Sequence, residues 1–227
     1  MKILLEHRRL LSAIYILYSI YLYLVFIGQD SADDALKSFL IPCLAFFLYN
    51  LKNRRAKLFL LGSILFSAQG DCFLIFNGKL FFLFGLGSFL MAHVFYCLIM
   101  VNYFENYSFF GKNKGYVVFL LVYLLVFMTF LSPYLGDLFF PVLLYATVLA
   151  MMVFLALSLN VQFHGKHILI VLGAIFFLIS DSLLGVSIFY QNFYKSHFFI
   201  MLTYLLAQSL LVYGLVLFEK MQADRKS

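Results

Sequence analysis

At 227 residues the chain has the length of one or two soluble domains, yet 65% of it is apolar and 11% charged, against roughly 45–50% and 25% in soluble proteins. A soluble fold cannot hide that much apolar surface, so a bilayer must stand in for water as the solvent. Cys43, Cys72 and Cys97 are odd in number and lie inside apolar runs, which excludes a disulfide scaffold. The net charge of +6 comes from basic residues set between those runs; that pattern fits membrane topology and argues against a nucleic-acid partner.

A spanning helix needs about 20 mostly apolar residues at 1.5 Å each. Such runs predict eight helices, near 10–28, 37–51, 57–77, 80–104, 115–135, 138–159, 167–189 and 197–219. The fold class expected is therefore all-α: one polytopic membrane domain over 1–227, a bundle of eight transmembrane helices. The first run follows Lys2, Arg8 and Arg9 but lacks a small-residue cleavage site, so it reads as an uncleaved span. The second is short and contains Pro42. The connections are too brief to fold as domains, which leaves the chemistry among the helices.

Lys2, Arg8, Arg9, Lys52, Arg54, Arg55, Lys57, Lys112, Lys114, Lys166, Lys220, Arg225 and Lys226 fall on one side of this topology, and Lys37, Lys79 and Lys195 on the other. By the positive-inside rule both termini are cytoplasmic, which requires an even number of spans; a bacterial inner membrane is the expected location. Tryptophan is absent, so tyrosines such as Tyr49, Tyr103, Tyr107 and Tyr194 take the interfacial aromatic role.

The informative residues are the polar ones at membrane depth. Asp71 lies roughly 21 Å along its helix from Lys57, and Asp181 stands at a matching depth beyond His167. An ionisable side chain there costs about 2.5–3.5 kcal/mol on insertion scales and faces a bundle interior, so two at one depth point to a shared polar cavity. Ser63, Ser67 and Asp71 recur every four residues, as do Gly173, Phe177, Asp181 and Gly185, which puts both acids on faces that let helices approach closely. Gly85, Phe89, His93 and Cys97 form another stripe, with Tyr96 one position off it; Tyr204 and Gln208 share a face, as do Pro141 and Tyr145. Pro42 then Asp71, echoed by Pro141 then Asp181, hints at a 4+4 parallel repeat. His164 and His167, at a loop edge without a nearby carboxylate, read as solvated, and neither metal-ligand spacing nor a phosphate-cradling glycine loop is present.

These segments resemble the YhhN family, whose animal members are lysoplasmalogenases. The resemblance rests on Gly70-Asp71-Cys72-Phe73-Leu74, on Gly85 through Phe89 to His93 and Tyr96, and on Pro141-Val142-Leu143-Leu144-Tyr145. Ser180-Asp181-Ser182-Leu183-Leu184 and Tyr204-Leu205-Leu206-Ala207-Gln208 complete it, in the same order along the chain. Lys37 aligns with a family lysine, followed here by Ser38 in place of proline. The resemblance implies an enzyme that hydrolyses the vinyl ether bond of 1-alkenyl glycerophosphocholine or -ethanolamine, without metal or organic cofactor; its partner would be a lysophospholipid in the membrane. Vinyl ethers hydrolyse by protonation at carbon and capture of an oxocarbenium ion by water. One carboxylic acid and one carboxylate meet those demands, as in glycoside hydrolysis. Asp71 and Asp181 are the expected pair, with His93, Tyr96, Tyr145, Ser182, Tyr204 and Gln208 in support and Lys37 near the substrate phosphate. The competing class is transport, since two intramembrane acids and a parallel repeat also suit a proton-coupled carrier or lipid scramblase.

Overall fold

The computed structural model describes residues 2–28, 36–37, 39–49, 51–104 and 114–226, with backbone alone at 2–10 and 224–226. Ser38, Tyr107 and Lys112 lie outside the described residues. Among the residues described, the structure is all-helical. Seven long helices run in order: α1 (Lys2–Ile27), α2 (Arg54–Leu74), α3 (Lys79–Val101), α4 (Lys114–Leu135), α5 (Phe139–Gln162), α6 (Ile168–Gly185) and α7 (Ser196–Lys226). Five stretches are long and apolar enough to cross a membrane. One of these, Lys114–Gln162, holds both α4 and α5; Leu11–Ile27 is a shorter apolar helix.

Local sequence sets the breaks. Asn53 caps α2, its side chain accepting from the backbone N–H groups of Arg55 at 3.1 Å and Ala56 at 3.4 Å. Gly136, at φ +50°, supplies the turn between α4 and α5, and Leu131 of α4 then packs beside Val142 of α5. Two prolines stay near helix ends: Pro133 in the last turn of α4, Pro141 in the first of α5. Leu121, Val122, Leu125 and Val126 on α4 remain exposed, as a lipid-facing stripe would.

The expected second span has a different form. Its regular part is a seven-residue 3-10 helix, Pro42–Leu48, about 14 Å long at the 2 Å rise of that geometry. It is nonetheless built into the bundle, with Leu40, Ile41, Leu44 and Phe47 almost wholly buried. The two prolines of the expected repeat therefore stand in different conformations: Pro42 opens this 3-10 segment, whereas Pro141 sits in the first turn of a full α-helix.

Two helix pairs hold the centre, α2 with α3 and α6 with α7. Small residues allow both approaches. A Cβ on Gly173 would stand 2.7 Å from the backbone N of Leu211, and one on Gly70 would stand 2.6 Å from the Phe89 ring. His167 corrects the expectation of a solvated loop edge: it is 5% exposed and lies edge-on to Phe218, with ring centres 4.5 Å apart. His164 is exposed.

Candidate active site

Both acids sit on the closely packed helices α2 and α6, and both are largely buried. Asp71 on α2 is 5% exposed, and Tyr204 Oη of α7 donates to its Oδ2 at 2.9 Å. Asp181 on α6, with its side chain 12% exposed, accepts from Tyr145 Oη of α5 at 2.5 Å. His93 Nε2 of α3 stands 3.9 Å from the same Asp181 Oδ2. The His93 ring is fully buried between Tyr145 and Phe177, and neither ring nitrogen has a hydrogen-bond partner. Each acid thus meets the helix that follows the other acid, α2 with α7 and α6 with α3.

Both acids line one cavity of about 290 Å³. Lys37, His197 and Asn192 also line it, and Lys37 is 8% exposed. A second, mainly apolar pocket of about 60 Å³ lies between α2, α3, α4, α5 and α6. Asp181 is on the wall common to both spaces, with Leu74, Phe89, Leu184 and Ile188; Asp71 lines only the polar cavity. Just beyond Asp181 the helix loosens into a π turn, Val186–Tyr190, which brings Ile188 into both walls. A π turn offsets the side chains after it from the α-helical register.

The other expected residues separate into two groups. Tyr145 and Ser182 line the apolar pocket, and Tyr204 the polar cavity. Ser182 does not bond to an acid: its hydroxyl pairs with Tyr123 Oη of α4 and donates to the Leu178 carbonyl. Tyr96 and Gln208 line neither space. Tyr96 Oη donates to Gln208 Oε1 at 2.7 Å, and Gln208 Nε2 donates to Ser67 Oγ at 2.8 Å, all three buried.

Sequence reasoning passes over Tyr123, Asn192 and His197. Tyr123 carries no signal among 16 tyrosines, and Asn192 and His197 sit in and just past a loop that reads in sequence as a simple connection. Among the described residues no group of three His, Cys, Asp or Glu side chains is placed to hold a metal ion. The donor set is instead suited to proton transfer: two buried carboxyls, each held by a phenol, one with an imidazole behind it, and a lysine in the same chamber.

No curated protein and no solved structure matches the chain. Residues 33–215 do match a known family, a stretch that holds both acids and every other residue of this constellation. The chain belongs to the YhhN family.

Proposed function

We propose that the protein is a lysoplasmalogenase, an ether hydrolase that splits the vinyl ether bond of a 1-alkenyl glycerophospholipid into a fatty aldehyde and a glycerophospho-alcohol. The observation that carries this reading is the position of Asp181 on the wall between an apolar pocket and a polar chamber. A lysoplasmalogen has its reactive double bond at the junction of a hydrocarbon chain and a polar glycerophosphate. With the first carbons of the chain in the apolar pocket, which at about 60 Å³ is smaller than the roughly 150 Å³ that takes a benzene ring, and the head in the chamber, that bond lies beside Asp181.

The two acids then take distinct roles. Asp181, protonated, delivers its proton to the alkene carbon remote from the ether oxygen, and the adjacent carbon becomes an oxocarbenium centre. Asp71, which lines the polar chamber only, takes a proton from the water that attacks that centre. The resulting hemiacetal collapses, its hydroxyl proton leaving as the carbon–oxygen bond to glycerol breaks and the alkoxide is protonated. Burial favours the protonated form of a carboxyl, and two neighbouring carboxyls resist ionising together, so one proton shared by the pair is the natural resting state. Tyr145 and Tyr204 hold the acids in place, His93 packs behind Asp181, and Lys37 faces the phosphate.

This reading retains eight spans, the Lys37–Leu48 region counting as one, with both termini cytoplasmic and the chamber towards the opposite face. The test is to incubate detergent-solubilised protein with 1-alkenyl lysophosphatidylethanolamine and measure free aldehyde. Folded protein that releases none, across head groups and chain lengths, refutes the proposal.

A further inference from the structure

At the other end of the bundle lies a larger polar cavity, about 500 Å³, between the start of α2, the end of α3 and the last turns of α7. Among the described residues its walls carry three cations, Lys52, Arg55 and Lys220, and one acid, Glu219. Glu219 is 5% exposed and both its oxygens are occupied: Tyr103 Oη donates to Oε1, and Asn53 Nδ2 to Oε2 at 3.0 Å. Burial first, then the adjacent carboxylate, pushes the Tyr103 phenol up, so it stays a donor to Glu219. That carboxylate is thus a post tying α2, α3 and α7 together, and the cations outnumber it around the open space. Gln222 also lines the cavity, and its Nε2, shielded from solvent, has no acceptor. Glu219, Lys220 and Gln222 lie beyond the stretch matched to the family.

An excess of cations among the described lining residues asks for an anionic ligand with several oxygens. A guanidinium presents a fork to two phosphate oxygens, and lysines supply point charges. The cavity stands at the ends of three helices of membrane-crossing length, which is the level of lipid phosphates, and basic pockets between spanning helices at that level suit anionic head groups. We propose that this cavity is a second site, which binds a phosphate group presented by an anionic phospholipid of the adjacent leaflet.

The experiment uses full-length protein in phosphatidylcholine nanodiscs doped with phosphatidylglycerol, with retained lipid counted by native mass spectrometry. Wild type is expected to retain phosphatidylglycerol over phosphatidylcholine, less so at high salt. The double variant K52Q/R55Q should retain about thirtyfold less. Lys79→Gln, a cation at the opposite end, should leave retention unchanged. Lys52→Gln alone, which removes one exposed cation, should weaken retention about fivefold and serves if the double variant folds poorly. Displacement of the lipid by millimolar inorganic phosphate would assign the same site to a soluble phosphate; failure of phosphate to compete assigns it to the lipid head group. The proposal is overturned if both variants, with an unchanged thermal midpoint in phosphatidylcholine, retain phosphatidylglycerol as wild type does, or if neither probe binds. Aldehyde release does not enter this readout, so it stands or falls apart from the hydrolase reading.

Discussion

Asp181→Asn is the sharpest perturbation of the proposed chemistry. Asparagine keeps the shape of the side chain and an acceptor oxygen for the Tyr145 hydroxyl, now 2.5 Å from Asp181 Oδ2, so the geometry survives and the transferable proton is lost. A positioned general acid contributes about 10²–10⁴-fold to rate, or roughly 3–5 kcal/mol of barrier at 1.36 kcal/mol per decade. The protonated acid and the amide are both neutral acceptors, so the exchange alters the Tyr145 hydrogen bond by about 1 kcal/mol or less, small beside the catalytic loss. The assay is aldehyde release from lysoplasmalogen at saturating substrate, with the thermal midpoint recorded on the same preparation. The expected outcome is a fall in kcat of at least a hundredfold with a midpoint close to wild type. Turnover within tenfold of wild type in folded Asp181→Asn protein would remove the proton donor and with it the argument from the shared wall. Asp71→Asn should lose a comparable factor through water attack, leaving the solvent isotope effect on carbon protonation diminished because capture of the cation becomes slow.

Tyr145→Phe and Tyr204→Phe each remove one hydrogen bond to an acid and should lower kcat about tenfold to a hundredfold, from roughly 1.5–3 kcal/mol per charged hydrogen bond; steady-state kinetics read the loss. Ala146→Phe fills the apolar pocket that Ala146 lines and should raise KM for long- and short-chain substrates alike, measured across a chain-length series. Gly173→Val places carbon 2.7 Å from the Leu211 backbone N and should destabilise the bundle by about 1–3 kcal/mol. Gly87→Ala, with nothing within 4 Å of the added carbon, should raise stability by up to about 1 kcal/mol; thermal unfolding compares the two.

The depth of Asp71 and Asp181 was legible because composition makes them exceptions. In a sequence this apolar, hydropathy alone sets helix positions to within a few residues, and the cost of burying a charge says that both acids must face inward. The close approach at Gly173 was legible for a related reason, since it recurs on the Asp181 stripe and leaves room that a side chain would close; the one at Gly70 was not, because that residue is off the stripe of Ser63, Ser67 and Asp71. The second span was harder to read, because hydropathy records apolar length and not helix type. Pro42 gave warning of an altered start, but the 3-10 form depends on packing against Leu44, Phe47 and their neighbours. Nor could periodicity find the apolar pocket. Its walls come from five helices, and residues such as Phe127, Leu131 and Leu149 are indistinguishable in sequence from ordinary lipid-facing or core positions. His167 misled through its neighbours: the loop around it is polar, yet Phe163 and Phe218 close over the ring, the second from a helix distant in sequence.

Tyr96, Gln208 and Ser67 bear on the choice between hydrolase and carrier. On α2, Ser67 lies between Ala56 at the basic-end cavity and Asp71 at the acidic chamber; on α3, Tyr96 lies between Ile99 and Phe89; on α7, Gln208 lies between Glu219 and Tyr204. The two cavities share no lining residue, and this hydrogen-bonded layer, fully buried, stands between them. A carrier must open its acids to each side in turn, which would break these bonds in every cycle; a hydrolase needs the layer only as a floor that keeps the chamber closed at one end. Tyr96→Phe separates the two roles. It leaves the Gln208 carbonyl without its donor and should cost about 1–3 kcal/mol of stability, while aldehyde release at a temperature where the protein stays folded changes by no more than a few-fold, since Tyr96 lines neither cavity. Reconstituted wild type should pass no protons when lysophospholipid is supplied on one side. Proton flux coupled to lipid movement, altered by Tyr96→Phe with no aldehyde formed, would make the layer a gate and the acids a transport site.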